Sequence, residues 1–258
     1  MSGANPFSSA KRRLARAKKH IRTIERQCKA FFGKKPYAHI IEADPQTRFE
    51  FHKIRLTKPL PDTVTDLAYE AIEGMRASLD HAAHAVASRS SVRPKDLERL
   101  HFPIADDAAK FEDLLKQKGT RDLPSDILAL FRSFKPYKGD NFLIWALNQV
   151  RRQGTHRLIV PVGLAVPQIH VHHMTARSPG PVDLMAPQWD AEKHEIVFAR
   201  TIPGAQLEYN LNLSFFVAFG EVEGLKGEPA IGALDDIAGE VERIIVATEA
   251  KAREIGLI

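Results

Sequence analysis

Apolar residues recur every three or four positions over the first half of the chain, which is the spacing of amphipathic helices. The first such run predicts a helix that ends at Gly33, so that residues 1–36 form a basic N-terminal helix. Two runs rich in β-branched and aromatic residues follow it on either side of Asp44-Pro45. They predict a β-hairpin over 37–56.

A longer apolar stripe then begins at Asp62 or Thr63, either of which can cap a helix, and continues to about Ser90. Shorter helical patterns follow it. Together these patterns predict a helical lobe over 57–155. The shorter helices are expected near 106–118, 124–134 and 141–152.

The period of the pattern changes to two in the last hundred residues, which is the spacing of β-strands. Strands are expected in RLIVPVGLAV, QIHVHHMTA and WDAEKHEIVFART, and most clearly in QLEYNLNLSFFVAF, where every odd position from 207 to 219 is apolar. A last helical stripe follows, so 156–258 is predicted to form a β-sheet with a C-terminal helix.

This order of elements predicts an α+β fold: a helical lobe plus a mostly antiparallel β-sheet, with long N- and C-terminal helices. We expect residues 1–258 to form a single compact unit, within which the helical middle is a lobe.

Composition restricts the compartment and the chemistry. The only cysteine, Cys28, excludes an internal disulfide and a multi-cysteine zinc site. No apolar run approaches the roughly 20 residues that a membrane span needs, and no apolar stretch follows the first basic residues as in a secretory signal. We therefore expect a cytoplasmic protein without a membrane span.

The positive charge is local to the N-terminal helix. Residues 11–35 hold eleven Lys or Arg and one acidic residue, Glu25, whereas the whole chain carries only +5. Such a helix can bind the phosphates of RNA or DNA, or it can be a surface helix packed by its apolar edge. The candidate nucleic-acid-binding residues are Lys11, Arg12, Arg13, Arg16, Lys18, Lys19, Arg22 and Arg26.

The stretch RASLDHAAHAVA, residues 76–87, holds the candidate catalytic residues, which are Arg76, Asp80, His81 and His84. At about 100° per residue, Asp80, His81, His84 and Glu73 are predicted to lie opposite the apolar stripe, and Arg76 shares their face. Three interpretations remain open. The side chains form a solvated face with an Arg76–Asp80 ion pair, they line a site against a partner helix or second subunit, or they hold a metal.

The spacing of Arg76 and His81 resembles the R-x4-H signature of HEPN-type domains, which are helical bundles of bacterial toxins and defence proteins. The resemblance implies a metal-independent ribonuclease, often a homodimer with its site between subunits. In such a site Arg76 would hold the scissile phosphate and His81 would act as general acid or base. A second R-x4-H match pairs Arg151 with His156.

A broader resemblance covers about 65–160. Leu79-Asp80-His81 after Arg76, then Phe102-Pro103-Ile104, Lys135-Pro136-Tyr137 and His156-Arg157 look like the pieces of a group of uncharacterised bacterial proteins. Members of that group often read D-K-H-R where this chain has Gly154-Thr155-His156-Arg157. The resemblance implies no particular activity.

Two histidines on one strand face, His170 and His172, are weak candidate metal ligands, because they supply only half of a site. His39 and His52 on the hairpin could add to them. No cofactor is expected. The function favoured by these patterns is a metal-independent ribonuclease, the alternative is a nucleic-acid-binding or assembly protein without enzymatic activity, and a histidine-based metal-binding protein comes third.

Overall fold

Seven helices are present in the part of the chain that the computed structural model describes, which is 5–90, 94–153, 159–164, 174–177, 180–190, 192–209, 214–220 and 222–258. None of these helices is long and apolar enough to cross a membrane. The helices are α1 (Ser8–Gly33), α2 (Asp62–Ala87), α3 (Pro94–Leu97), α4 (Ala108–Leu115), α5 (Ser125–Phe134), α6 (Phe142–Gln153) and α7 (Ala230–Glu254).

Every strand pairing among the described residues is antiparallel. A four-stranded sheet has the order β1-β2-β6-β5, and two two-stranded sheets pair β3 with β8 and β4 with β7. The α+β prediction is thus confirmed. The strands are β1 (Tyr37–Ala43), β2 (Glu50–Leu56), β3 (Ile159–Leu164), β4 (Met174–Arg177), β5 (Val182–Asp190), β6 (Glu195–Thr201), β7 (Gln206–Tyr209) and β8 (Ser214–Phe219).

Two of the expected strand segments each contain residues of two strands. WDAEKHEIVFART contains the end of β5, a turn and all of β6, because the polar residues after Asp190 form the turn of a hairpin. The segment 206–219 contributes β7 and β8 to different sheets. Residues 210–213 between those two strands lie outside the described part of the chain.

Helices from both ends of the chain pack against α2 and share one hydrophobic core with it. The buried residues of α1 lie at the predicted helical spacing, and α1 packs closely against a glycine of α2. A Cβ atom on Gly74 would lie 3.3 Å from the Cβ of Ala17, which leaves no room for a larger side chain without a shift. This close packing aligns the polar edges of α1 and α2 beside each other.

The basic helix α1 is held to α7 by a buried carboxylate. Glu249 is 7% exposed, forms ion pairs with Lys11 and Arg253, and accepts a 2.8 Å hydrogen bond from Nδ2 of Asn5. Burial alone would raise the pKa of the Glu249 carboxyl. The three donors outweigh that effect and lower the pKa to about 2. The positive charge of Lys11 on α1 is therefore neutralised by a carboxylate within the fold.

Candidate functional site

The Arg76–Asp80 pair fastens the Phe102-Pro103-Ile104 segment to α2. Nη1 of Arg76 lies 2.7 Å from Oδ1 of Asp80, and Nη2 of Arg76 donates a 2.9 Å hydrogen bond to the carbonyl of Phe102. The amide of Phe102 in turn donates a 2.8 Å hydrogen bond to Oδ1 of Asp80. Both backbone groups of one residue are thus bound by two side chains one helical turn apart.

Arg76 is buried rather than exposed on the polar side of α2. It is 6% exposed, and burial lowers the pKa of its guanidinium while the Asp80 carboxylate opposes that shift. The periodicity puts Arg76 at the edge of the apolar stripe, and the 102–104 segment covers that edge. The interpretation of a solvated ion pair is therefore incorrect for Arg76, although the ion pair itself is present.

Two pieces of the broader resemblance are neighbours in the structure. Phe102-Pro103-Ile104, which we call the FPI segment, meets Lys135-Pro136-Tyr137, which we call the KPY segment. The amide of Ala105 donates a 3.1 Å hydrogen bond to the carbonyl of Pro136. The ring of Phe102 packs on that of Phe131 at 4.9 Å between centroids. The chain turns directly after α5 at Lys135, the first residue of the KPY segment, whose φ of 49° is in the left-handed region.

Three histidines line one cleft of about 550 Å³, which we call the histidine cleft. His81 and His84 reach it from α2, and His101 reaches it from the segment that Arg76 and Asp80 fasten. Nδ1 of His101 lies 3.5 Å from Oδ2 of Asp80. The cleft is lined by Ala77, Asp80, His81, His84, Leu97, Glu98, Leu100 and His101.

His81 is half-buried and lies 3.0 Å from the hydroxyl of Ser9, measured from its Nδ1. Burial lowers its pKa below the ordinary 6.5, and the charge of Arg13 and the neighbouring His84 lower it further, while Asp80 opposes them. The neutral imidazole of His81 is therefore the main form at neutral pH. A neutral imidazole at the edge of a cleft can accept a proton.

Arg76 and His81 face two different cavities. Arg76 lines a second cavity of about 300 Å³, the cationic cavity, whose lining includes the 102–104 segment, and His101 lines both cavities. The R-x4-H pair is thus divided between adjoining sites that share the His101 side chain. Whether these residues are catalytic stays a prediction.

A third cavity of about 310 Å³ runs between α1 and α2 and joins the histidine cleft at Ala77. We call it the helix groove. Arg13, Arg16 and His20 contribute its basic side, and Nε2 of His20 lies 3.3 Å from the carboxylate of Glu70. The histidine cleft thus shares Ala77 with the helix groove and His101 with the cationic cavity, and both of these neighbouring cavities carry cationic side chains.

The eight basic candidates of the N-terminal helix separate into three groups. Lys11 and Lys18 pair with carboxylates of α7, and Arg13 and Arg16 line the helix groove. The remaining four are exposed and form no ion pair with any residue that the structure describes. These four are Arg12, Lys19, Arg22 and Arg26.

The second R-x4-H match can be placed only in part. Arg151 is exposed at the end of α6, and its Nε donates a 3.0 Å hydrogen bond to Glu73 on α2. His156 lies outside the described residues, and so do His170 and His172. The joint role of Arg151 and His156 stays a prediction.

The two possible metal ligands on the hairpin, His39 and His52, lie within hydrogen-bonding distance of each other. Nε2 of His39 lies 3.2 Å from Nδ1 of His52, and the other nitrogen of His52 lies 3.1 Å from the hydroxyl of Thr201. Within the described ranges, no group of three or more His, Cys, Asp or Glu residues is arranged to hold a metal ion. A site that includes His170 and His172 stays a prediction.

Sequence reasoning missed one histidine of the cleft and three cations of the cationic cavity. His101 is adjacent to the FPI segment, which was the only signal that could have identified it. Arg99, Lys118 and Arg152 come from separate segments and have no common spacing with Arg76. No protein-family model, no curated protein and no solved structure matches this chain.

Proposed function

We propose that this protein is a metal-independent ribonuclease that binds the RNA backbone along its three adjoining cavities and cleaves it in the histidine cleft. The observation that carries the proposal is the meeting of His81, His84 and His101 in one cleft, next to two cavities that are lined by cationic side chains. Cationic side chains bind phosphates, and imidazoles transfer protons near neutral pH.

The cleavage chemistry needs one base and one acid. The neutral His81 removes the proton of a ribose 2′-hydroxyl, and the 2′-oxygen attacks the adjacent phosphorus. The bond from phosphorus to the 5′-oxygen breaks, and we assign His101, whose Nδ1 lies 3.5 Å from Asp80, to protonate that leaving oxygen. The products are a 2′,3′-cyclic phosphate and a 5′-hydroxyl, and no redox partner is required.

In this proposal Arg76 has a different role from the one that the HEPN resemblance implies. Its guanidinium holds the backbone of Phe102, and that contact positions the neighbouring His101. Arg76 is thus a positioning residue for the cleft. The homodimer that the resemblance implies remains part of the proposal, and light scattering of the purified chain measures it directly.

The alternative function is nucleic-acid binding without cleavage. It is favoured by the exposed cations of α1 that form no ion pair within the described structure, among them Arg12, Lys19 and Arg26. Binding through those residues alone would fall with added salt and would not need the histidines. The two functions therefore differ in what the histidine variants do.

Purified protein is expected to cleave an RNA oligonucleotide in excess EDTA and to leave the 2′-deoxy oligonucleotide of the same sequence intact. The reason is that the proposed nucleophile is the 2′-hydroxyl and that the proton carriers are imidazoles. Gel analysis and mass spectrometry of the products would detect the 2′,3′-cyclic phosphate. Salt-sensitive binding of both oligonucleotides with cleavage of neither would instead support the binding protein.

A further inference from the structure

The cationic cavity is lined by five positively charged side chains from four segments of the chain. Arg76 comes from α2, Arg99 from the turn before the FPI segment, Lys118 from the turn after α4, and Arg151 and Arg152 from the end of α6. No carboxylate is among the described residues that line it. The cavity holds about 300 Å³, which is the lower end of the range for small-molecule sites.

Three of the five cations form ion pairs with carboxylates outside the lining, and the other two form none within the described ranges. Arg99 and Lys118 form no ion pair with any residue in the described ranges, so the lining and its partners keep an excess of two positive charges. A dianion would balance that excess. The three paired cations are Arg76 with Asp80 (2.7 Å), Arg151 with Glu73 (3.0 Å) and Arg152 with Asp106 (3.9 Å).

One wall of the cavity belongs to the folded interior, whereas four of its cationic side chains are exposed, namely those of Arg99, Lys118, Arg151 and Arg152. Arg76 is more than nine-tenths buried, and its Nε has no hydrogen-bond partner among the described residues. The turn that carries Lys118 needs Gly119, which has a φ of 89° and whose Cβ, if present, would lie 2.9 Å from the carbonyl of Asp96. Neutral polar side chains at Gln117, Thr120 and Asn148 complete the lining.

We propose that this cavity binds a phosphomonoester, the dianionic phosphate group at the end of a nucleotide or of an RNA chain. Two unpaired cations match the charge of such a phosphate, and arginine hydrogen bonds to phosphate oxygens are charge-assisted. The remaining space accepts the attached sugar. Among the described residues, only His101 lines both this cavity and the histidine cleft, so binding here does not require the proposed cleavage.

The test is isothermal titration calorimetry with uridine 5′-monophosphate, uridine and inorganic phosphate as ligands. The monophosphate is expected to bind and uridine is not. The double variant Arg99→Gln/Lys118→Gln is expected to lower the affinity at least about tenfold, because each charge-assisted contact contributes about that much. Both side chains are exposed, so the fold should be preserved.

Arg121→Gln is the matched control, because Arg121 is exposed, follows the same turn and does not line the cavity. Equal binding of uridine and its monophosphate would overturn the proposal, and so would an equal loss of affinity in Arg121→Gln. A 5′-phosphorylated RNA oligonucleotide compared with its 5′-hydroxyl form then identifies the source of the phosphate. Preference for the phosphorylated RNA supports an RNA end, and monophosphate binding without that preference supports a free nucleotide.

Failure of RNA cleavage would leave this result unchanged, because the titrations measure binding only. Conversely, a protein that cleaves RNA but binds uridine 5′-monophosphate no better than uridine would retain the ribonuclease proposal and lose this one. The two proposals therefore fail separately.

Discussion

Replacement of Arg76 by Met is expected to lower the free energy of unfolding by about 3 kcal/mol, the cost of breaking a buried ion pair from one side. Methionine retains much of the side-chain volume but removes the charge that faces Asp80 and the donor to the Phe102 carbonyl. That carbonyl is left in a buried segment without its side-chain donor, which adds to the cost. Urea unfolding followed by circular dichroism measures the change.

Arg132→Met is the matched control for this prediction. Arg132 forms a two-bond pair with Glu112, at 2.9 and 3.0 Å, but on the surface. Exposed pairs contribute about 0–1 kcal/mol, so the control should lose much less stability. Equal losses in the two variants would contradict the positioning role of Arg76. Because Arg76 supports the fold, a loss of activity in its variants could not by itself identify a catalytic group.

Replacement of His81 by Ala is expected to lower the rate of RNA cleavage by about 10²- to 10⁴-fold, the usual contribution of a general base. His101→Ala should have an effect of the same order, because the proposed acid is lost. His194→Ala is the control, since His194 lies in the turn between β5 and β6, away from the cleft. His156→Ala run beside them tests the second R-x4-H match.

The dependence of cleavage on pH should follow the protonation of His81. Only the neutral form can accept a proton, so the rate falls as the pH drops through the pKa of His81, which burial holds below 6.5. Arg13→Gln removes a nearby positive charge, which should raise that pKa and move the acidic limb to higher pH. An unchanged rate in His81→Ala, or an acidic limb that Arg13→Gln leaves unmoved, would contradict the assignment of His81 as the base.

Helical and strand periods were sufficient to predict most of the fold. The stripe on α2 and the basic helix were predicted because each buries one face, and burial of one face leaves a regular pattern in the sequence. WDAEKHEIVFART was predicted to contain one strand, and it contains β6 together with the end of β5, which begins before this segment. Packing of α1 and α7 together against α2 joins distant parts of the chain, which no local period encodes.

The site was predictable only where its residues share an element. Asp80, His81 and His84 are within two turns of α2, so their spacing shows that they can meet. His101 joins them through the backbone contacts of Phe102, which depend on the tertiary position of the FPI segment. The cations of the cationic cavity come together in the same way, from turns and helix ends with no spacing in common.

The most direct test of the central claim, that the histidine cleft receives RNA, is an NMR titration of the histidine side chains with a 2′-deoxy oligonucleotide. This ligand binds without being cleaved in the proposed mechanism, so binding is seen apart from chemistry. The account predicts that the resonances of His81, His84 and His101 shift on binding while that of His194 does not. Binding that leaves the three cleft histidines unmoved would contradict it.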